Sequence, residues 1–109
     1  MTLKLMKLAA ICFLIAGATT VHAQDLGYQK EMEAAHKTMM EDMGAMKSTG
    51  DPDKDFAMMM IPHHQGAIDM AQIQLKYGKD PALKKMAQDI IDAQQREIDD
   101  FKKWEGAHH

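Results

Sequence analysis

The residues best suited to bind a metal ion lie in the middle of the chain, within a run of methionines and histidines. The run is Met58-Met59-Met60-Ile61-Pro62-His63-His64-Gln65-Gly66. Residues three and four apart are neighbours on a helix, so Met59 and Met60 can each meet His63, and Met60 can also meet His64. Thioethers select Cu(I), and imidazoles suit Cu(II) as well as Cu(I). These residue types therefore predict a copper site.

A second set of soft ligands precedes this run. It is a stripe at spacings of four and three residues: Met32, His36, Met39, Met43 and Met46. This spacing is typical of a helix face that packs on a neighbouring helix. A hairpin centred near Gly50-Asp51 would place Met43 level with Met58. We therefore expect ligands of the first helix to converge with those of the second: His36, Met39, Met40 and Met43 with Met59, Met60, His63 and His64.

Ordinary core packing is the alternative for single methionines, because Met fills irregular gaps well. The core-packing alternative applies above all to Met32, Met46, Met70 and Met86. A lone His36 could also be a core residue. It is weaker for residues 58–60, since three consecutive residues sweep about 200° of a helix and cannot share one narrow core stripe.

Three helices must position these ligands, and the sequence predicts an all-α, antiparallel three-helix bundle. The predicted helices are Leu26 to Lys47, Pro52 to Tyr77 and Pro81 to Glu105. Asp51 and Asp80 are N-cap residues placed directly before prolines, and Gly78 suits the position after a helix end. Short connections make neighbouring helices antiparallel. Pro62 should kink the second helix without ending it, and Gly66 leaves room for a close approach.

Branched and aromatic residues predict the core. The third helix carries Leu83, Met86, Ala87, Ile90, Ile91, Ile98, Phe101 and Trp104 on one stripe. The second helix carries Phe56, Ile61, Ile68, Ile73 and Leu75. The polar residues Gln94 and Gln95 are expected level with His64 and His63.

The N-terminus resembles an export signal. Lys4 and Lys7 precede an apolar run, and small residues lead to Ala23, so we predict a signal peptide over residues 1–23 and a mature domain over 24–109. Cleavage would remove Cys12 and leave a cysteine-free chain with a net charge of −5. The predicted location is periplasmic or secreted, with no membrane span after cleavage. Thioethers and imidazoles suit such a compartment because they form no disulfides.

Composition argues against other function classes. The net charge of −3 argues against a nucleic-acid binder, which would be strongly basic. Di-iron enzymes of the helical-bundle class need two Glu-x-x-His motifs and two further Glu ligands. This chain has Glu33-x-x-His36, and its other match, Glu105-x-x-His108, lies in the C-terminal tail, which is expected to fray. We expect no enzymatic activity.

The central motif also resembles a known family. The matching residues are Asp53-x-Asp55-Phe56, Met60-Ile61-Pro62-His63-His64-Gln65, Ala67-Ile68-Asp69-Met70-Ala71, and then Ile90-Ile91, Gln94, Glu97-Ile98 and Trp104. In these the chain is similar to the exported proteins of the domain of unknown function 305 family, which includes CopM-like periplasmic copper-binding proteins. The resemblance implies a ferritin-like helical bundle and binding of copper or silver. It extends most directly to Met60, His63, His64 and Met70. Phe101 departs from the pattern, because the family often has Met there.

The sequence therefore predicts a protein that buffers or transfers Cu(I), and also Cu(II) or Ag(I), in copper homeostasis or resistance. A periplasmic copper-transfer protein would be its partner, and a homodimer could complete a four-helix core. The alternative function is a helical interaction module whose Met-rich surface binds a protein.

Overall fold

The structure is a computed structural model that describes residues 18–109, with side chains described from residue 26 onward. It is all-helical in that range, with α1 at Ala18–Gly44, α2 at Pro52–Tyr77 and α3 at Pro81–Ala107. Residues 1–17, most of the predicted signal peptide, lie outside the described residues, so that assignment stays a prediction. None of the described helices has the length and apolar character that a membrane span needs.

The starts of α2 and α3 confirm the two predicted N-caps. The Asp51 carboxylate accepts a hydrogen bond from the backbone N–H of Asp53 at 3.0 Å. The Asp80 carboxylate accepts one from the backbone N–H of Leu83 at 2.9 Å. In each case a proline occupies the first turn, where its missing N–H would have had no partner within the helix. Local sequence alone therefore determines where both helices begin.

The bounds of the helices differ from the prediction at several points. Helix α1 begins at Ala18 instead of Leu26, and α3 ends at Ala107 instead of Glu105. Helix α1 ends at Gly44, three residues before the expected Lys47. Gly78 has φ −67°, so it does not cap α2 in the left-handed conformation. A side chain there would instead lie 2.5 Å from the backbone oxygen of Gln74, which is why glycine fits. The left-handed glycine is Gly50, with φ 83°, in the α1–α2 connection.

Helix α2 lies between the other two helices. It packs against both α1 and α3, whereas α1 and α3 do not pack against each other within the described residues. Tyr28 of α1 lies beside the end of α2, where the rings of Tyr28 and Tyr77 meet edge to face with centroids 6.1 Å apart. Ser48, after α1, donates a 2.7 Å hydrogen bond to Asp55 in the first turn of α2. The three helices therefore form an open helical bundle with two helix–helix interfaces.

This arrangement leaves a small core made mostly of short side chains. The buried apolar residues are Ala57, Ile68, Ala71, Ile73, Ala87 and Ile98. Four predicted core residues are instead largely exposed: Phe56, Leu83, Met86 and Ile90, at 54%, 52%, 57% and 42%. The prediction was wrong for them because α1 does not touch α3, and so no third helix covers the groove between α2 and α3.

The described part of α1 carries no fully buried side chain. Its half-buried residues include Met32, Ala35, Met39 and Met43, and Met46 just beyond the helix is half-buried too. His36 is exposed, so Ala35 takes the place predicted for it on the packed stripe. The rest of that stripe has the predicted spacing, and Met32, Met39 and Met43 are half-buried along α1.

Candidate functional site

Four methionines, from the end of α1, the connection after it and the first turns of α2, line one cavity between α1 and α2. The cavity has a volume of about 240 Å³ and is lined by Met43, Met46, Lys47, Ser48, Asp55, Met58 and Met59. We call Met43, Met46, Met58 and Met59 the thioether cluster. Met58 and Met59 are neighbours in the first turns of α2, and Met43 and Met46 are three residues apart at the end of α1 and just beyond it. The short connection between the helices brings the two pairs together.

The donor atoms of this cluster determine its chemistry. Thioether sulfur is neutral and soft, so a site built from several thioethers suits Cu(I) or Ag(I) far better than Zn²⁺ or Mg²⁺. Within the described residues, no group of three or more His, Cys, Asp or Glu side chains is placed to hold a metal ion.

Asp55 lines the cavity, but its carboxylate is hydrogen-bonded to residues of the α1–α2 connection. Its carboxylate accepts hydrogen bonds from the Ser48 hydroxyl at 2.7 Å and from the Thr49 N–H and hydroxyl at 2.8 and 2.7 Å. These bonds, with that of Ser48 contributing most, hold the pKa of the Asp55 carboxyl below its usual value. Asp55 therefore fixes the connection that positions the thioethers.

Met39 lies one helical turn before Met43 and contacts the backbone of Gly66. A side chain on Gly66 would lie 2.7 Å from Met39 Cγ and 3.0 Å from Met39 Cβ. Gly66 is buried, and its missing Cβ lets α1 approach α2 at this level. The room predicted beside Gly66 is thus occupied by a thioether.

The other predicted ligands lie outside the thioether cavity. His36, Met40 and His63 are exposed, and Met60 is half-buried. None of the four lines the thioether cavity. His63 is four residues after Met59 on α2, which places it one turn along the same helix.

His64 faces α3 instead of α1. Only 8% of it is exposed, its Nε2 contacts a carboxylate oxygen of Glu97, and its ring meets Phe101 edge to face at 5.5 Å. Its Nδ1 is buried without a hydrogen-bond partner. We assign the ring hydrogen to Nε2, since a buried N–H with no acceptor would be costly. Glu97 therefore takes the position beside His64 that was expected for Gln94.

Met70 also belongs to the α2–α3 side. It lines an apolar groove with Leu83, Met86 and Ile90 of α3. The structure thus divides the predicted ligands into two sets. Met39, Met43 and Met59 lie along the α1–α2 interface, whereas His64 and Met70 lie along the α2–α3 interface.

Sequence reasoning does not select two members of the thioether cluster. Met46 is favoured there as a core residue, and Met58 is not among the predicted ligands. The signal for Met58 is nonetheless present, because the hairpin expectation already places Met43 level with Met58. The hairpin expectation places Met39 beside Pro62. In the structure Met39 lies beside Gly66, about one helical turn farther along α2.

Comparison with known proteins identifies relatives. A curated relative, the uncharacterized protein L153 of Acanthamoeba polyphaga mimivirus, is 46% identical over 49 residues, which cover 45% of this chain and 32% of the viral protein. The matched segment thus spans about a third of that relative. The model of the domain of unknown function DUF305 matches residues 13–105, which include all three helices but for the last residues of α3. The chain therefore belongs to the DUF305 family.

Proposed function

We propose that this protein binds Cu(I), and also Cu(II) or Ag(I), and buffers or transfers the ion in copper homeostasis or resistance. The observation that carries the proposal is the convergence of four thioethers on one cavity between α1 and α2. Ordinary packing does not require this composition. A Leu or Ile would fill the same space, whereas only sulfur adds affinity for a soft monovalent ion.

Transfer would proceed by ligand exchange. Thioethers are weak, neutral ligands, so an ion held by several of them can move stepwise to a partner without leaving a charged site bare. His63 and Met40 are exposed near the cluster and supply further soft ligands on the way in or out. The partner would be another metal-binding protein of the same compartment.

The proposed compartment is the periplasm or the extracellular space, after cleavage of the predicted signal peptide at Ala23. The proposed architecture is the antiparallel, ferritin-like arrangement that the sequence resemblance implies. The contacts of Tyr28 with Tyr77 and of Ser48 with Asp55 support opposite directions of α1 and α2. A homodimer would supply the further helices that a four-helix core needs.

The alternative function is a helical interaction module whose Met-rich surface binds a protein partner. The exposed Met40, Met59 and Met86 support it, since flexible thioether surfaces adapt to varied partners. This function predicts association that does not depend on metal. Sedimentation of the protein, measured once without metal and once with Cu(I) added, separates the two proposals.

An anaerobic competition against a chromophoric Cu(I) chelator tests the proposal. Met43→Leu with Met59→Leu keeps the apolar volume and removes two thioethers, so we expect at least about tenfold weaker Cu(I) binding with unchanged helicity. Met32→Leu with Met86→Leu is the matched control, because neither residue lines the cavity. Equal Cu(I) affinity in both double variants would overturn the proposed site, and so would Zn²⁺ binding as tight as Cu(I) binding.

A further inference from the structure

A second and larger cavity lies between the first two turns of α2 and the last turns of α3. Its volume is about 590 Å³, and it is lined by Asp53, Phe56, Ala57, Glu97, Asp100, Phe101 and Trp104. It shares no lining residue with the thioether cavity, which lies on the α1 side of α2. No sulfur atom lines it, so the proposed copper chemistry does not explain it.

Aromatic rings form the apolar walls of this cavity. Phe56 and Phe101 meet edge to face with centroids 5.7 Å apart. Phe56 is 54% exposed, an unusual fraction for so large an apolar side chain at a helix–helix interface. The ring of Trp104 stacks on His108 at 4.2 Å, and the His108 ring nitrogen Nδ1 lies 2.7 Å from the Trp104 carbonyl oxygen. These contacts fix the orientation of the rings.

The polar part of the lining is entirely acidic. Asp53, Glu97 and Asp100 contribute three carboxylates, and no Lys or Arg lines the cavity. Within the described residues, Asp53 and Asp100 form no ion pair, and Glu97 pairs only with His64. His64 is more than nine-tenths buried behind Glu97, so it holds that carboxylate in place from inside the protein.

We infer that this cavity binds an organic cation of the alkylammonium class. Aromatic faces attract such cations through their quadrupoles, and the attraction grows when the site is partly shielded from water. Carboxylates at the rim neutralise the positive charge, and the aromatic walls cover the alkyl groups. An anion would be repelled by the three carboxylates, and a neutral apolar ligand would leave them without a partner. The volume admits a cation of the size of choline or somewhat larger.

The chain carries its own reporter for this site. Trp104 is the single tryptophan, and it lines the cavity, so its fluorescence responds to an occupant directly. The metal-free protein is titrated with choline and, separately, with 3,3-dimethylbutan-1-ol, which has the same shape without the charge. We expect a saturable change with choline and at least about tenfold weaker binding of the alcohol. Equal binding of the two compounds, or no saturable response to choline, would overturn the inference.

Variants test the charge of the lining separately from its shape. Asp53→Asn with Asp100→Asn removes two negative charges from the cavity at nearly constant volume, and we expect at least about tenfold weaker choline binding. Asp92→Asn with Asp99→Asn is the matched control, since it changes the net charge equally and neither residue lines the cavity. Phe56→Leu should also weaken binding, because it removes one aromatic face.

The outcome of this experiment is independent of the copper proposal, since no metal is present. Choline affinity unchanged by the Asp53 and Asp100 substitutions would contradict the inference. Competition by Mg²⁺ at the concentration at which choline binds would contradict it too, because it would show only a general attraction of cations to carboxylates. Selective binding of choline over both the alcohol and Mg²⁺ would support it.

Discussion

At the residue scale, Gly66 and Met39 set the distance between α1 and α2. The Met39 side chain occupies the space where a Cβ of residue 66 would stand, with Met39 Cγ at 2.7 Å and Met39 Cβ at 3.0 Å from that position. The Cβ of Met39 cannot move away without moving the α1 backbone. A larger residue at position 66 would therefore push apart the two helices that form the thioether cluster.

Gly66→Ala is predicted to destabilise the protein. Overpacking of a filled interface costs about 1 to 3 kcal/mol, and the better helix propensity of alanine offsets about 1 kcal/mol of this cost. The expected net result is a melting temperature several degrees lower, measured by circular dichroism. Cu(I) affinity should fall as well, since the α1 and α2 thioethers would separate.

The control for this variant is Gly106→Ala, which makes the same change within α3. Nothing lies within 4 Å of a Cβ at residue 106, so alanine should stabilise the helix by up to about 1 kcal/mol. Adding Met39→Ala to Gly66→Ala should recover part of the lost stability, because it removes the colliding side chain. A Gly66→Ala protein as stable as the Gly106→Ala protein would contradict the close approach.

Adjacent residues His63 and His64 show what the sequence could and could not predict at this scale. Two consecutive helix residues differ by about 100° in direction, so they are not expected to bind one ion together. Helical geometry does not tell which of the two side chains packs against α3, because that depends on how the three helices are arranged. His64 meets Glu97 of α3, and His63 is exposed. Single-residue roles therefore needed the tertiary structure.

At the element scale, Asp55 joins the α1–α2 connection to α2. Its carboxylate receives hydrogen bonds from Ser48 and Thr49, which lower its pKa. A lowered pKa in the folded state means that these bonds stabilise the fold above the unfolded pKa, near pH 4. The contribution is lost as the pH falls through the lower folded value.

Asp55→Asn is therefore predicted to destabilise the protein at pH 7 and to do so less as the pH falls below about 4. Urea unfolding at several pH values measures the difference from the wild type. Asp42→Asn is the control, since Asp42 is exposed on α1 and its carboxylate has no hydrogen-bond partner within the described residues. A destabilisation by Asp55→Asn that stayed constant from pH 7 to pH 3 would contradict the role of the charged carboxylate.

Helix α1 is predicted to be the least stable of the three helices. It packs against α2 alone, and its described part has no fully buried side chain. In the middle of α1, Glu31 accepts hydrogen bonds from Lys76 at 2.5 Å and Tyr77 at 2.8 Å, but these groups are partly accessible to water. Its amide hydrogens should exchange faster than those of α2, and Cu(I) should slow them by joining α1 to α2.

Hydrogen exchange with mass spectrometry measures this effect helix by helix. Zn²⁺ serves as the control ion, since thioethers bind it poorly. Equal protection of α1 with and without Cu(I) would show that the ion does not bridge the two helices.

The helices themselves were predictable, but their packing was only partly so. Asp51-Pro52 and Asp80-Pro81 determine the starts of α2 and α3 through local capping. The hairpin expectation places Met43 beside Met58 correctly, because both lie close to the connection. Farther away it is off by about one turn at Met39, since Gly66 rather than the length of the connection sets the register there.

At the scale of the whole molecule, two cavities lie on different sides of α2. The thioether cavity lies on the α1 side, and the acidic aromatic cavity lies on the α3 side. All the residues that line one cavity or the other lie between positions 43 and 104 of the chain. Removal of the predicted signal peptide would leave both intact.

The predicted export can be tested on the full chain. Expressed in a Gram-negative host with its own N-terminus, the protein should be recovered from the periplasm with Gln24 as its first residue. Intact mass and N-terminal sequencing measure this outcome. Ala23→Phe should block cleavage, since a bulky residue does not fit the position before the cut. Full-length protein confined to the cytoplasm would contradict the predicted location.

X-ray absorption of the Cu(I)-loaded protein tests the central claim most directly, because it identifies the atoms bound to the ion. We expect the atoms bound to the ion to be mostly sulfur, with fewer sulfur atoms in the Met43→Leu and Met59→Leu double variant. A first shell of nitrogen and oxygen alone, unchanged in that variant, would contradict a copper site built on the thioether cluster.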